Sequence, residues 1–247
     1  MDFKGLGKGA FSLFLPADCK ICGQVLEPLN FSYICETCWD KVKWLTMPHC
    51  SRCAKPFSAS LASQEVPSLL CTECRRESSP FKKIFAATLY EGVMKEAIHL
   101  LKYRRKKGIM KRLEKVLKAY FFHTDLPLSK LDLVIPIPLH RKKLKERGFN
   151  QAELLARVIA THFDLKLVKN GLQRVKATKS QISLSKKERI ENIKGAFQFK
   201  NKDKFRAKKI LLVDDVYTTG TTVREAAKVL KKAKAREVYI LTLARAS

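Results

Sequence analysis

The chain has 247 residues, enough for one large domain or two smaller ones. Its 50 Lys and Arg residues outnumber 23 Asp and Glu residues, and the resulting formal net charge of +27 favours a polyanionic partner, whether DNA, RNA or an anionic membrane. No stretch approaches the roughly twenty apolar residues of a membrane-spanning helix, and the N-terminus lacks the long apolar core of a signal peptide, so we expect a protein of the cytoplasm.

The N-terminal part of the chain is marked by cysteine. All eight cysteines fall before residue 75, as four C-x-x-C pairs: Cys19/Cys22, Cys35/Cys38, Cys50/Cys53 and Cys71/Cys74. Two thiolates at this spacing can turn onto one metal ion, and two such pairs complete a tetrahedral zinc site. A disulfide framework or a redox dithiol fits poorly with a cytosolic chain and with four repeated pairs. The pattern therefore predicts two structural zinc ions.

The intervals between the pairs indicate how they combine. Between Cys22 and Cys35 there are 12 residues, and between Cys53 and Cys71 there are 17. Both intervals suit one ribbon-like site for each consecutive set of four cysteines, although an interleaved arrangement would use the same residues. Zinc would stabilise a segment that has too few apolar residues to fold alone.

A second domain follows the last cysteine pair. Residues 75–80 are interpreted as a linker, which predicts a zinc-binding domain over 1–80 and a second domain over 81–247. Apolar periodicity predicts strands at 84–90, 131–137, 210–213 and 238–243, and helices at 94–103, 110–122 and 151–162. Strands that alternate with helices predict an α/β domain whose parallel sheet binds ligands at the carboxyl ends of its strands.

Three basic segments stand out in this second domain. Residues 102–118 carry nine Lys or Arg residues against Glu114 alone, and they form either a solvated helix face or a groove for the phosphates of a single strand. Residues 140–147 are predicted as a cationic loop, which beside an acidic strand would suit a pyrophosphate leaving group. Residues 173–197 are lysine-rich, and they are either a loop that closes over the site or a β-hairpin that contacts nucleic acid.

The run at 210–222, ILLVDDVYTTGTT, carries the sharpest functional signal. An apolar strand ends in Asp214 and Asp215, and a hydroxyl-rich turn then leads into a helix for which Thr222 and Glu225 predict a capping box. Backbone N–H groups and the helix dipole at such a turn suit a phosphate, and carboxylates at the strand end can bind paired ribose hydroxyls. The two acids could instead cap a helix, but the combination favours a sugar-phosphate site. Neither a Walker A lysine nor a G-x-G-x-x-G fingerprint is present.

This run resembles the phosphoribosyl pyrophosphate (PRPP) signature of type I phosphoribosyltransferases. The order of segments, from paired zinc knuckles through RGFNQ at 147–151 to VDDVYTTGTT at 213–222, resembles the ComF/GntX family. Proteins of that family combine a double zinc ribbon with a phosphoribosyltransferase-like domain and are tied to DNA uptake in natural competence. The resemblance implies a type I phosphoribosyltransferase-like parallel sheet flanked by helices, preceded by a small N-terminal zinc-ribbon domain.

The resemblance also implies roles for individual residues. Asp214 and Asp215 would bind the ribose hydroxyls of PRPP, in company with Mg²⁺. The residues of the following turn would hold the 5′-phosphate: Thr218, Thr219, Gly220, Thr221 and Thr222. The residues that would face pyrophosphate are Arg147 and its neighbours Arg141, Asn150 and Gln151.

Three functions are compatible with these features. The first is a protein that binds PRPP and single-stranded DNA in DNA uptake and works with helicase or channel proteins of the uptake machinery. The second is an active phosphoribosyltransferase that uses a base or an amine as acceptor, although no motif selects a particular base. The third is a nucleic-acid-binding regulator that senses PRPP, although no helix-turn-helix is evident. We expect the first.

Overall fold

The computed structural model describes residues 18–26, 33–57, 69–178, 185–200 and 202–246. Its strands are β1 (Lys83–Leu89), β2 (Leu133–Pro136), β3 (Lys166–Leu167), β4 (Leu172–Arg174), β5 (Phe197–Phe199), β6 (Lys209–Tyr217) and β7 (Glu237–Arg245). Five of them form a parallel sheet in the order β1-β7-β6-β2-β3, and β4 pairs with β5 in an antiparallel ribbon. The predicted parallel sheet is therefore confirmed.

Helices cover both faces of this sheet. They are α1 (Glu36–Trp39), α2 (Thr72–Arg76), α3 (Gly92–Tyr103), α4 (Met110–Phe121), α5 (Arg141–Arg147), α6 (Gln151–His162), α7 (Lys186–Ile193) and α8 (Thr221–Lys232). Short 3₁₀ turns lie at Lys107–Ile109, Leu128–Lys130 and Asp203–Phe205. Helices α3, α4 and α6 share one apolar core with the sheet, and α8 shares the other. Among the described residues, no helix is long and apolar enough to cross a membrane.

Strand β6 lies at the centre of the sheet, between β7 and β2, and its sequence accounts for that place. Its four apolar residues at 210–213 are all buried, because alternate side chains enter the two cores on opposite faces. The strand continues to Tyr217, so Asp214 and Asp215 are its sixth and seventh residues rather than part of a loop. Its carboxyl end therefore lies beside that of β2, to which it is paired.

The segment predicted as a cationic loop is in fact a helix, α5. The N–H of Lys142 donates to His140 Nδ1 across 3.2 Å at the start of this helix, and Gly148 ends it with a φ of +80°. The prediction was wrong because α5 is built of good helix formers but has only Leu144 as an apolar residue. The sequence of this helix therefore shows no apolar periodicity from which a helix could be predicted.

The basic segment at 173–197 has an antiparallel pair at its ends and a helix between them. Strands β4 and β5 pair from Leu172 with Phe199 to Arg174 with Phe197, but the intervening helix means that they are not a simple β-hairpin. Helix α7 begins with a capping box between Ser185 and Glu188. Residues 179–184 of this segment lie outside the described residues.

The cysteine-rich part lies against strand β1, which is an edge of the sheet. The N–H of Leu45 donates to the carbonyl of Ala87 across 3.1 Å, and two β1 amides donate to carbonyls of the cysteine-rich part. These amides are those of Leu89, bonded to Lys43, and Ile84, bonded to Arg52, each at 2.8 Å. The cysteine-rich part therefore covers backbone groups that an edge strand would otherwise leave unpaired.

Candidate functional site

The eight cysteines come together as two consecutive groups of four. The first group is Cys19, Cys22, Cys35 and Cys38, and the second is Cys50, Cys53, Cys71 and Cys74; within each group the sulfur atoms lie within 4.8 Å of one another. In a tetrahedral site with zinc–sulfur bonds of about 2.3 Å, neighbouring sulfurs lie about 3.8 Å apart. The Sγ atoms of Cys19 and Cys38 are 3.8 Å apart, and those of Cys53 and Cys71 are 3.7 Å apart. Both groups thus fit zinc, and the interleaved alternative is wrong.

The two predicted carboxylates lie at the carboxyl end of β6 and point to opposite sides of the strand. Asp215 is buried and Asp214 is half-buried, and the N–H of Asp215 donates to Asp214 Oδ1 across 2.9 Å. Asp215 faces α3 and α6, where it forms an ion pair with Lys102. Gln151, at the start of α6, donates from Nε2 to Asp215 Oδ1 across 3.3 Å.

A chain of polar contacts extends from Asp215 to the end of α5. Arg147 donates from Nη1 to Gln151 Oε1 across 2.5 Å, so Gln151 holds its amide between a guanidinium and a carboxylate. Asn150 sets the direction of α6: its side chain accepts from the N–H of Ala152 and donates to the carbonyl of Ile137. The motif RGFNQ thus links the end of α5, the start of α6 and the carboxylate on β6.

The two carboxyl groups titrate differently because Asp215 is ion-paired with Lys102, whereas no ion pair to Asp214 is present among the described residues. Burial would raise the pKa of Asp215, but the Lys102 ammonium holds it below its usual value. Burial, followed by the neighbouring charge of Asp215, raises the pKa of Asp214 to about 8. Together with Lys102, the pair therefore carries little net negative charge at neutral pH.

The turn after β6 has the geometry of an anion-binding helix start. Gly220 has a φ of +75° and is the N-cap of α8, and no side chain caps this helix. The predicted capping box of Thr222 and Glu225 is therefore wrong, because the N-cap is Gly220, two residues before Thr222, and the helix begins at Thr221. The first amides of a helix have no partner within it and lie at the positive end of its dipole. Thr219 and Thr221 place their hydroxyl oxygens 3.3 Å apart on this turn.

The acid pair and the turn open into one cavity of about 450 Å³. Of the residues predicted from sequence, those lining it are Asp214, Asp215, Thr218, Gly220, Thr221, Thr222, Arg147 and Gln151. Thr219 lies on the same turn. Arg141 and Asn150 line a neighbouring cavity, so the structure does not bring them to the acid pair.

The residues of α3 that line this cavity were not predicted from the sequence. Lys95, His99, Lys102 and Tyr103 line it from one face of that helix, and Tyr90 lines it from the preceding turn. These four residues are spaced four, three and one residues apart, and positions three and four apart share a helix face. That spacing could have predicted a polar face of α3 directed at the site. Arg174 at the end of β4 lines the opposite side, where burial lowers its pKa.

Two known domain families match parts of the chain. Residues 10–75 match the double zinc ribbon domain, and residues 146–247 match the phosphoribosyl transferase domain. The first match contains all eight cysteines, and the second contains the acid pair, the turn after β6 and the start of α6.

Individual proteins match over most of the chain. The DNA utilization protein YhgH of Salmonella typhi is 30% identical over 239 residues, which cover 94% of this chain and 99% of that protein. Competence protein F of Haemophilus influenzae is 29% identical over 218 residues, covering 86% and 90% of the two chains. Competence protein ComFC of Bacillus subtilis is 29% identical over 222 residues, covering 86% and 84%. Each match spans both the cysteine-rich part and the sheet.

Proposed function

Because the chain belongs to the ComF/GntX family, we propose that it binds PRPP and single-stranded DNA and acts in DNA uptake during natural transformation. Relatives named for competence and for DNA utilization match it over most of its length. In this role the protein works in the cytoplasm, where an incoming strand meets helicase and channel proteins of the uptake machinery.

The observation that carries the PRPP proposal is the shared cavity of the acid pair and the turn. The Asp215 carboxylate can accept a hydrogen bond from one ribose hydroxyl, and the protonated Asp214 can donate one to the other. The amides at the start of α8 suit a doubly charged 5′-phosphate. A ribose 5-phosphate therefore has both of its ends recognised within one space of about 450 Å³. Arg147 and Arg174 provide cations on the walls of that space, where the pyrophosphate of PRPP needs them.

Magnesium fits this site as a companion of PRPP rather than as a resident ion. Lys102 is paired with Asp215, and Asp214 holds a proton below about pH 8, so the acid pair alone attracts a divalent cation weakly. Pyrophosphate oxygens are the hard ligands that Mg²⁺ prefers. We therefore expect Mg²⁺ to bind together with PRPP, where it would offset the charge of the pyrophosphate.

The proposed DNA surface lies at the rim of the same cavity. Four consecutive basic residues at 104–107 are exposed directly after α3, and Tyr103 before them is 53% exposed. The Arg147 guanidinium lies 5.8 Å from the centre of the Tyr103 ring. Basic side chains beside an exposed aromatic ring suit a single strand, whose phosphates bind the cations while a base stacks on the ring.

Isothermal calorimetry of PRPP with Mg²⁺ tests the ligand. We expect the double variant Asp214→Asn/Asp215→Asn to weaken binding at least about tenfold, since the ionised acceptor of Asp215 becomes a weaker neutral amide oxygen and each side chain loses one of its two oxygens. Asp132→Asn is the matched control, because Asp132 pairs with Lys208 just before the amino end of β2 and should leave the affinity unchanged. Equal affinity in the double variant and the wild type would contradict the site.

Titration with a fluorescent oligonucleotide tests the DNA partner. We expect the affinity for a single strand to fall steeply as salt rises, because binding releases counterions from the phosphates. Replacing Arg104, Arg105, Lys106 and Lys107 by Gln should reduce that salt dependence by about four charges. An unchanged salt slope would place the strand elsewhere on the protein.

A second candidate function, phosphoribosyl transfer, is favoured by the aromatic wall of the cavity. Tyr90, His99 and Tyr103 line it near the acid pair, and planar side chains of this kind stack on a heteroaromatic acceptor. Transfer would break the bond from the ribose to pyrophosphate and form one to a ring nitrogen of the acceptor. Release of pyrophosphate only when a nucleobase is added to protein, PRPP and Mg²⁺ would support this activity, and no release with any nucleobase would count against it.

A further inference from the structure

A buried arginine lies between the second cysteine group and the turn after β6. Arg245, at the end of β7, is 5% exposed. Its Nε donates to the carbonyl of Cys53 across 2.9 Å, and its Nη2 lies 4.0 Å from the Cys53 sulfur. Among the described residues, no carboxylate forms an ion pair with it. A buried guanidinium requires partners, and here they are a cysteine knuckle and the carbonyl of the next residue, Ala246, to which Nη1 donates.

Arg245 also contacts Tyr217, the aromatic residue that packs against the turn after β6. Its guanidinium lies 5.3 Å from the centre of the Tyr217 ring, and Tyr217 is buried. Tyr217 in turn packs directly under Gly220, because a Cβ placed on Gly220 would lie 2.2 Å from the tyrosine hydroxyl. The N–H of Ala246 also donates to the carbonyl of Tyr217 across 2.8 Å. The contacts thus run from Cys53 through Arg245 and Tyr217 to Gly220.

A second set of contacts joins the same two regions. Arg224, in the first turn of α8, has its Nη2 3.5 Å from a Glu77 carboxylate oxygen just after α2. Arg52 donates from Nη1 to the carbonyl of Cys74 across 2.5 Å and to that of Glu77 across 3.1 Å. The start of α8 therefore contacts the chain segment that leaves the second cysteine group.

The first cysteine group makes its contacts elsewhere. Within the described residues its helix, α1, reaches α4 through an ion pair between Glu36 and Arg112. The first group also packs into the core shared by α3, α4 and α6, whereas the second packs into the core shared by α8. Two otherwise similar groups thus contact different faces of the sheet, and only the second adjoins the turn after β6.

We infer that Arg245 is a positioning residue through which metal occupancy of the second cysteine group, but not of the first, sets the shape of the turn at 218–222. Four thiolates around one Zn²⁺ carry a net charge of −2, and a buried guanidinium beside them offsets part of it. With the metal in place, Arg245 is held against Tyr217 and Tyr217 supports Gly220. Loss of that metal releases the knuckle of Cys53 and, through it, the support under the turn. The inference rests on the proposed function only in taking this turn as the 5′-phosphate site.

Arg245→Gln tests the positioning role. The control is Arg112→Gln on α4, which removes the ion pair to Glu36 beside the first cysteine group. Amide hydrogen exchange at 217–223 is the direct readout, together with zinc content per chain and the dissociation constant for ribose 5-phosphate. We expect faster exchange in Arg245→Gln and affinity about tenfold weaker, as befits one lost charge-assisted contact. Arg245→Lys, which keeps the charge, should recover part of both. Arg112→Gln should leave exchange at 217–223 unchanged.

Unloading one group at a time tests the role of the metal. Cys22→Ser removes one ligand of the first group and Cys74→Ser one of the second, and zinc content should fall from two ions per chain to one in each variant. We expect faster exchange at 217–223 in Cys74→Ser only. Equal effects of the two cysteine variants, or unchanged exchange in Arg245→Gln, would overturn the inference. Since exchange needs no ligand, a wild type that does not bind ribose 5-phosphate would refute the proposed function and leave the coupling standing.

Discussion

At the residue scale, the site depends on two adjacent carboxyl groups of which Asp215 forms an ion pair with Lys102. Asp215 is buried beside Lys102 and is held as a carboxylate, whereas Asp214 next to it has a pKa raised to about 8. An ionised acceptor and a protonated neighbour make different hydrogen bonds, because only the second can donate. The pair can therefore accept from one ribose hydroxyl and donate to another oxygen at neutral pH.

The raised pKa of Asp214 predicts how stability depends on pH. The folded state holds this proton up to about pH 8, whereas the unfolded chain releases it near 3.8, so stability falls as pH rises between these values. Asp214→Asn is neutral throughout, and its stability relative to the wild type should rise by at least about 1.4 kcal/mol, one unit of pKa shift, from pH 6 to pH 8. Urea denaturation at both pH values measures the difference, and a constant difference would contradict the raised pKa.

Gly220 is a second residue on which the site depends, because its backbone conformation disfavours a side chain and Tyr217 occupies the space that a Cβ would need. Its φ is +75°, and a Cβ would collide with the Tyr217 ring at 2.2 to 2.7 Å. Gly220→Ala should therefore displace the turn and weaken ribose 5-phosphate binding at least about tenfold by calorimetry.

Gly195→Ala is the matched control for this substitution. Gly195 has a similar φ of +68°, but nothing lies within 4 Å of its Cβ position. Both variants should lose about 1 kcal/mol of stability from backbone strain, and only Gly220→Ala should lose affinity. A similar loss of affinity in both would show that the collision with Tyr217 has no effect.

At the element scale, α3 is the helix that completes the site. It supplies Lys102 to Asp215 and places three further side chains on the cavity wall. Lys102→Met should cost about 3 to 5 kcal/mol of stability, because it leaves a buried carboxylate without its cation. Lys118→Met is the control: Lys118 pairs with Glu114 across 2.8 Å on an exposed face of α4, and such pairs contribute under about 1 kcal/mol. Equal losses in urea denaturation would mean that the Lys102 pair acts as a surface pair.

Strands β1, β2, β6 and β7 and helices α3, α4 and α6 could be predicted from sequence, because burial makes their apolar residues regular. Strands β3, β4 and β5 were not predicted, since they are only two or three residues long. Helix α6 was predicted with its observed ends, and β6 with its buried residues and the acids that follow. Helix α5 could not be predicted, since it has almost no apolar face. Lys102 was counted in a basic run, and periodicity cannot tell which of nine cations turns inward to a carboxylate that lies 113 residues further along the chain.

At the scale of the whole molecule, the cysteine-rich part serves as the cover of a sheet edge. It pairs with β1 through backbone hydrogen bonds at both ends of the strand, and Arg245 joins it to the far end of β7. Zinc at the two cysteine groups would thus stabilise more than their own segment, because the hydrogen bonds at this edge of the sheet depend on the shape of the ribbons.

Metal removal should therefore loosen one edge of the sheet and leave its centre intact. We expect a strong chelator to speed hydrogen exchange at Ile84 and Leu89, whose amides donate to Arg52 and Lys43. The amides of 210–213 in β6, paired on both sides by β7 and β2, should stay protected. Equal deprotection of β1 and β6 would show global unfolding, and no change in β1 would show that the ribbons keep their shape without metal.

We propose that one cavity at the carboxyl end of β6 binds the ribose 5-phosphate part of PRPP. A crystal structure of the protein with PRPP and Mg²⁺ would test this proposal. We expect ribose hydroxyls within hydrogen-bond distance of Asp214 and Asp215, the 5′-phosphate on the amides of 218–222, and pyrophosphate facing Arg147. PRPP bound away from Asp214 and Asp215, or with its 5′-phosphate outside that turn, would contradict it.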